Sequence, residues 1–183
     1  MSATSLPAHF RRKIPDGDTH QRDVCSTCGY VHYVNPKIVT GAIVLHDGRI
    51  LLCRRAIAPR IGFWTLPAGF MELGETAEQA AVREAREEAN AEIAIERLLA
   101  VYTIPRIAQV QIMYLARLTS ATISPGPESL EVVLAGWGEI PWAELAFPSV
   151  RWVLEQYQTV QGRDDFAPFA NPPGEFGDAK PMT

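Results

Sequence analysis

The sequence predicts an α/β domain in which a mixed sheet is covered by helices on both sides, and three observations carry that prediction. Strand-like runs, rich in β-branched and apolar residues, cover 37–46, 49–54, 92–104, 109–118 and 130–137. An unbroken helical pattern over 76–89 falls between the second and third of these runs. A second helical pattern, 149–158, follows the last.

A chain of 183 residues holds one ordinary domain with a small appendage, and its apolar content is enough for a core. The net charge of -4 argues against a nucleic-acid-binding surface and against a basic membrane patch. No apolar run reaches the length of a membrane span, and MSATSLPAHFRRK lacks the apolar core of a signal peptide, so a cytoplasmic protein is expected. Three cysteines, two of them in one C-x-x-C, do not make a secreted disulfide framework.

The N-terminal segment, 1–36, is polar and turn-rich, with Pro15-Asp16-Gly17-Asp18 as one turn. Cys25-Ser26-Thr27-Cys28-Gly29 reads as one knuckle of a zinc ribbon, which makes Cys25 and Cys28 candidate zinc ligands. A ribbon needs two knuckles. The stretch from Ser2 to Phe10 has no cysteine, and no spacing obliges His9, His20 or His32 to replace one, so an incomplete ribbon is expected and zinc stays open.

The main domain is expected over 37–160. Asp47-Gly48 is a hairpin turn between its first two strands, and Cys53, in the second, is expected to be a small buried residue. Arg54, Arg55 and Arg60 follow in an acidic chain. They suit the oxygens of a bound pyrophosphate, or equally are arginines of a solvated loop. Within 109–118, Met113 and Leu115 alternate with Ile112, Tyr114 and Ala116. Residues 104–108 form a loop, and Pro125-Gly126-Pro127-Glu128-Ser129 is a rigid turn. A short helix is expected at 141–145, and Ser149 is expected to cap the last helix. Trp137, Trp142 and Trp152 are assigned to the core. From 161 to 183, Pro, Gly and Asp without apolar periodicity predict a disordered or loosely draped tail.

The chemistry concentrates in 69–91. Thr76 can cap the helix, with Gln79 completing a capping box. Ala81, Val82, Ala85 and Ala89 form a narrow apolar stripe that allows close packing. Glu84, Glu87 and Glu88 share one face beside it. At i, i+4 the pair Glu84 and Glu88 repel by about 0.2–0.5 kcal/mol when exposed, and by more where water is excluded. A divalent cation would reverse that sign. The alternative is a solvated face laced with ion pairs, such as Arg83 with Glu87.

Spacing separates these readings. Gly69, five residues, Glu75, seven residues, then Arg83-Glu84-Ala85-Arg86-Glu87-Glu88 resembles the signature of the Nudix hydrolases. Asn90 stands where that family usually has Gly, in a slot that tends to be left-handed. The resemblance implies an α/β/α sandwich and a nucleoside diphosphate linked to another group as substrate. It implies Mg²⁺ or Mn²⁺ held by Glu84, Glu87 and Glu88, with the backbone carbonyl near Gly69. Arg83 would hold a glutamate, Glu75 being the candidate. Glu88 is the first choice of general base, with Glu128 and Glu131 as alternatives.

Further strings, among them Cys53-Arg54-Arg55-Ala56-Ile57 and Gly126-Pro127-Glu128-Ser129-Leu130-Glu131, resemble the zinc-ribbon subgroup linked to ADP-ribose and FAD pyrophosphatases. Arg54, Arg55, Arg60 and Glu131 are therefore the candidate substrate contacts. No Ser-Gln-Pro-Trp-type string follows the box, which weakens a reading as NADH pyrophosphatase. The expected activity is hydrolysis of ADP-ribose or FAD to AMP. A nucleotide-sensing domain without catalysis is the rival from another class. Homodimers are common in the resembled family, although no oligomer signal is legible here.

Overall fold

The structure, a computed structural model, describes residues 8–177. The start of the N-terminal segment and residues 178–183 of the expected tail lie outside the described residues. The chain divides into two compact units, one ending at Asn35 and the other beginning at Pro36.

In the first unit, β1 (Phe10–Lys13), β2 (Arg22–Cys25) and β3 (Val31–His32) form an antiparallel three-stranded sheet in that order. The turn before β2 is built by Asp18, whose carboxylate takes a 2.9 Å bond from Arg22 and bonds from the Thr19 and His20 N–H groups. Those donors, Arg22 first, hold the Asp18 carboxyl at about 2. Phe10 meets Tyr30 and His32 edge to face.

The second unit holds the predicted mixed sheet. β4 (Lys37–His46) and β5 (Arg49–Arg55) form the hairpin expected at Asp47-Gly48. The short strands β6 (Trp64–Thr65) and β7 (Ala68–Phe70) pair with β5 and β4. After the helix α1 (Ala77–Ala89) come β8 (Ile93–Ile104), β9 (Gln109–Leu118) and β10 (Ser129–Ala135). The order is β10-β5-β4-β9-β8, with β4 and β9 parallel and the remaining neighbours antiparallel.

Strand alternation builds two cores. Ala42, Val44, Leu51, Cys53, Tyr114 and Ala116 face α1, whose Ala81, Ala85 and Ala89 are fully buried. Ile43, Ile50, Leu52, Met113 and Leu115 face the opposite way and meet Trp152, Val153, Leu154 and Tyr157 of α2 (Pro148–Val160). Helices on the two faces make the sandwich.

Several local expectations change. α2 begins at Pro148, whose missing N–H costs nothing in a first turn, so Ser149 is buried inside the helix instead of capping it. The short helix after Pro141 is a 3₁₀ turn, Trp142–Glu144, and Trp137 lies in another, Trp137–Glu139, beyond the end of β10. The segment after α2 is not loosely draped where it is described. Phe169 exchanges backbone bonds with Leu99 and Val101 on the edge strand β8, and Asn171 bonds both the N–H and the carbonyl of Thr103. Phe166 and Phe169 stack on each other and pack against the α2-side core. Two aromatics eight or more positions from any periodic run leave no pattern to read, which is why the sequence suggested a tail. Among the described residues no helix is long and apolar enough to cross a membrane.

Candidate active site

The helix α1 presents the glutamates as its local sequence dictates. Thr76 caps it, accepting from Gln79 N–H at 3.2 Å while the Gln79 side chain accepts from Thr76 N–H at 2.8 Å. Asn90 ends it in the left-handed conformation, φ 48° and ψ 31°. Between these caps the alanine stripe brings α1 close to β4 and β7. The closeness is acute at Gly69, where a β-carbon would lie 2.3 Å from the Glu84 carboxylate.

Arg83 organises the approach. It grips Glu75 with Nε at 3.1 Å and Nη2 at 2.8 Å, and donates to the Phe70 carbonyl at 3.0 Å. Its Nη1 reaches Glu84 at 2.7 Å and Glu87 at 2.9 Å. The arginine therefore ties the loop after β7 to the helix, with Glu75 as the partner expected.

Glu88 is the buried member of the box, 5% exposed, and its Oε2 accepts from Ala68 N–H at 3.3 Å. Burial, and then the neighbouring charge of Glu84, push its carboxyl up to about 8; Glu128 adds to the push, while the Ala68 N–H and the Arg55 charge oppose it. Burial likewise raises Glu84 against the pull of Arg83, with Glu87 and Glu128 adding to the rise. Glu87 is exposed and turned to Arg83. Cys53 is buried as expected, its thiol raised by burial and by the charge of Glu88.

The other candidates separate. Arg55 acts on Glu88 electrostatically, donates to Pro59 O at 2.8 Å and lies over Phe147. Arg54 and Glu131 pair with each other at 3.7 Å, both about half exposed, and Arg54 also bonds Gly62 O. Arg60 lies over Phe63. Of the two carboxylates expected in a loop, Glu131 lies on β10, paired in register with Arg54 of β5, and Glu128, just before that strand, is the one whose charge acts on Glu84 and Glu88.

Among the described residues no three His, Cys, Asp or Glu side chains converge as a ready-made metal cluster. For the glutamates the reason is visible: Arg83 occupies the space between Glu84 and Glu87. The donor set nevertheless fits Mg²⁺ or Mn²⁺. These ions use few protein carboxylates and complete their shell with water and phosphate oxygens, and Glu84 and Glu88 are carboxylates whose burial and mutual repulsion a cation relieves. The N-terminal unit does not fit zinc. Cys25 and Cys28 flank a turn closed by Gly29 N–H to Cys25 O at 3.0 Å, no third donor joins them among the described residues, and residues 1–7 contain neither Cys nor His.

A family model for the NUDIX domain matches residues 35–159, which spans the mixed sheet, α1, α2 up to its last residue and every glutamate named here. The chain belongs to the Nudix family. A second model, a zinc-ribbon family described as Nudix N-terminal, matches residues 8–34. The chain is 32% identical over 137 residues to the ADP-ribose pyrophosphatase of Methanocaldococcus jannaschii, covering 73% of this chain and 80% of that protein. It is 34% identical over 116 residues to the NAD-capped RNA hydrolase of Photorhabdus laumondii, covering 62% of this chain and spanning 43% of that protein's length. The fold matches the crystal structure of a NUDIX hydrolase from Nitrosomonas europaea with a TM-score of 0.83 and 45% identity, over 88% of this chain and 93% of that one. The protein is a Nudix pyrophosphohydrolase, and the matched segment contains the whole 69–91 stretch.

Proposed function

We propose that this Nudix pyrophosphohydrolase cleaves ADP-ribose or FAD at the diphosphate and releases AMP. The observation that carries the proposal is the buried acidic group of Glu84 and Glu88, approached by Glu128 and by the Arg55 guanidinium. Such a group is unfavourable alone and suited to a metal-bound diphosphate. The substrate class is supported by the similarity to an ADP-ribose pyrophosphatase over most of both chains.

Glu84 and Glu88, with Glu87 beside them, are the residues that would hold Mg²⁺ or Mn²⁺. When bound, the ion supplies neutralisation of the phosphates and a water of lowered pKa. Arg83 positions Glu75, Glu84 and Glu87 and contacts no substrate. Arg55 pairs with phosphate oxygens, and Glu88 or Glu128 takes the proton of the attacking water. That water adds to one phosphorus, the bridging anhydride bond breaks, and AMP leaves with the second phosphate ester as its partner product. The free cysteines suit a reducing, cytoplasmic setting.

A panel of ADP-ribose, FAD, NADH and nucleoside triphosphates with Mg²⁺, scored for AMP release, tests this. ADP-ribose or FAD is expected to lead. Exclusive action on triphosphates overturns the choice, and saturable binding without product in either metal moves the protein to a sensing role.

A further inference from the structure

We propose that Asn90 is a positioning residue, its side-chain amide clamping the 119–128 loop to the end of α1 so that Glu128 stands beside Glu84 and Glu88. The proposal rests on this acidic group being the reaction centre. It starts from the one departure from the family signature. At φ 48° a glycine is the unstrained occupant, and glycine would end the helix equally well. Asparagine adds an amide, and the structure shows where it goes.

Asn90 Nδ2 lies 3.1 Å from Ser124 O, 3.0 Å from Ser124 Oγ and 3.3 Å from Pro125 O. The loop answers in kind. Ser124 N–H donates to Ala89 O and Gly126 N–H to Glu88 O, both at 3.0 Å, so the loop satisfies carbonyls that the last helical turn leaves open. Gly126 comes so near that a β-carbon there would be 1.7 Å from Glu87 O. Ile123 packs into the core under α1. At its far end the loop is pinned just past β5, where Glu128 O accepts from Ala56 N–H at 2.8 Å, next to Arg55. Glu128 is thus suspended between two anchors, and Asn90 is the side chain that binds the loop's own carbonyls at the first.

A pure capping role and a clamping role predict opposite orders. As a cap, Gly is at least as good as Asn in every measurement. As a clamp, Asn90→Gly keeps the fold and melting temperature but lowers kcat for AMP release roughly ten- to a hundredfold, with KM changed less than about twofold. Asn90→Asp is worse still, since it sets a carboxylate against the same oxygens. In a Glu128→Gln background the Asn90→Gly change costs nothing further. A kcat within about twofold of wild type, or the same loss in both backgrounds, overturns the proposal. Hydrogen exchange on substrate-free protein gives a second reading: the amides of 122–128 exchange faster in Asn90→Gly, and unchanged exchange also overturns it. That arm needs no turnover, so a wild type that releases no AMP from any dinucleotide would sink the assigned reaction and leave the clamp to be judged by exchange.

Discussion

Glu88 carries opposing demands in one side chain. It is buried, faces Glu84, and holds its proton up to about 8 in the metal-free protein. Its folded pKa lies above its unfolded value of 4.5, so the stability it contributes is fully present below pH 4.5 and is lost as pH rises through about 8. We therefore expect metal-free wild type, in chelator, to lose on the order of a few kcal/mol relative to Glu88→Gln between pH 5 and 8.5. Urea unfolding midpoints across that range check it; parallel pH profiles for the two proteins would contradict it. In Mg²⁺ the same substitution is expected to cut turnover by about two or more orders of magnitude with folding intact. Steady-state kinetics beside a melting curve measure both. Arg83 neutralises Glu84 and Glu87 and also pairs with Glu75.

At the scale of elements, close approach decides what each segment tolerates. Gly126→Ala drives a methyl into Glu87 O, so either the loop leaves α1 or the helix end shifts. We expect a loss of about 3 kcal/mol or more. Gly138→Ala is the control, with open space around it and an expected change within about 0.5 kcal/mol. Chemical denaturation of the pair checks both. The edge strand β8 offers a second case. At Leu99, Val101 and Thr103 its outer backbone groups are paired by Phe169 and Asn171, a cover that keeps that part of the edge from pairing with other chains. Asn171→Ala frees the Thr103 N–H, and faster exchange of that amide is the expected readout; equal protection would show that the Phe169 bonds suffice.

Across the whole molecule, two units with different means of support share one chain. The sheet and its helices hold together through two apolar cores. The ribbon-like unit relies on strand pairing, the Asp18 turn and the ring contacts of Phe10. We expect purified protein to carry well below one zinc per chain by elemental analysis, and chelation to abolish AMP release until Mg²⁺ returns. A stoichiometric zinc would overturn the assignment for the N-terminal unit alone.

Strand and helix periodicity, the Asp47-Gly48 turn, the Thr76 and Asn90 caps and the spaced glutamates were all legible in the chain, because each depends on residues within a few positions of one another. The sandwich followed from those elements, and the family from the spacing of the box. What the sequence could not order was anything depending on distant partners. Glu128 and Glu131 look alike in one dimension, yet Glu128, held by the Gly126 turn and by Ala56, acts on Glu84 and Glu88, while Glu131 lies on β10 beside Arg54. Arg54 and Arg55 are adjacent, yet Arg54 pairs with Glu131 while Arg55 acts on Glu88. Ser149 lost its expected cap to a neighbouring proline, and the segment after α2 acquired order from β8. Local sequence sets which groups exist and how each element turns; packing across the sheet sets which charges meet, because burial and Coulomb energy depend on distance in space.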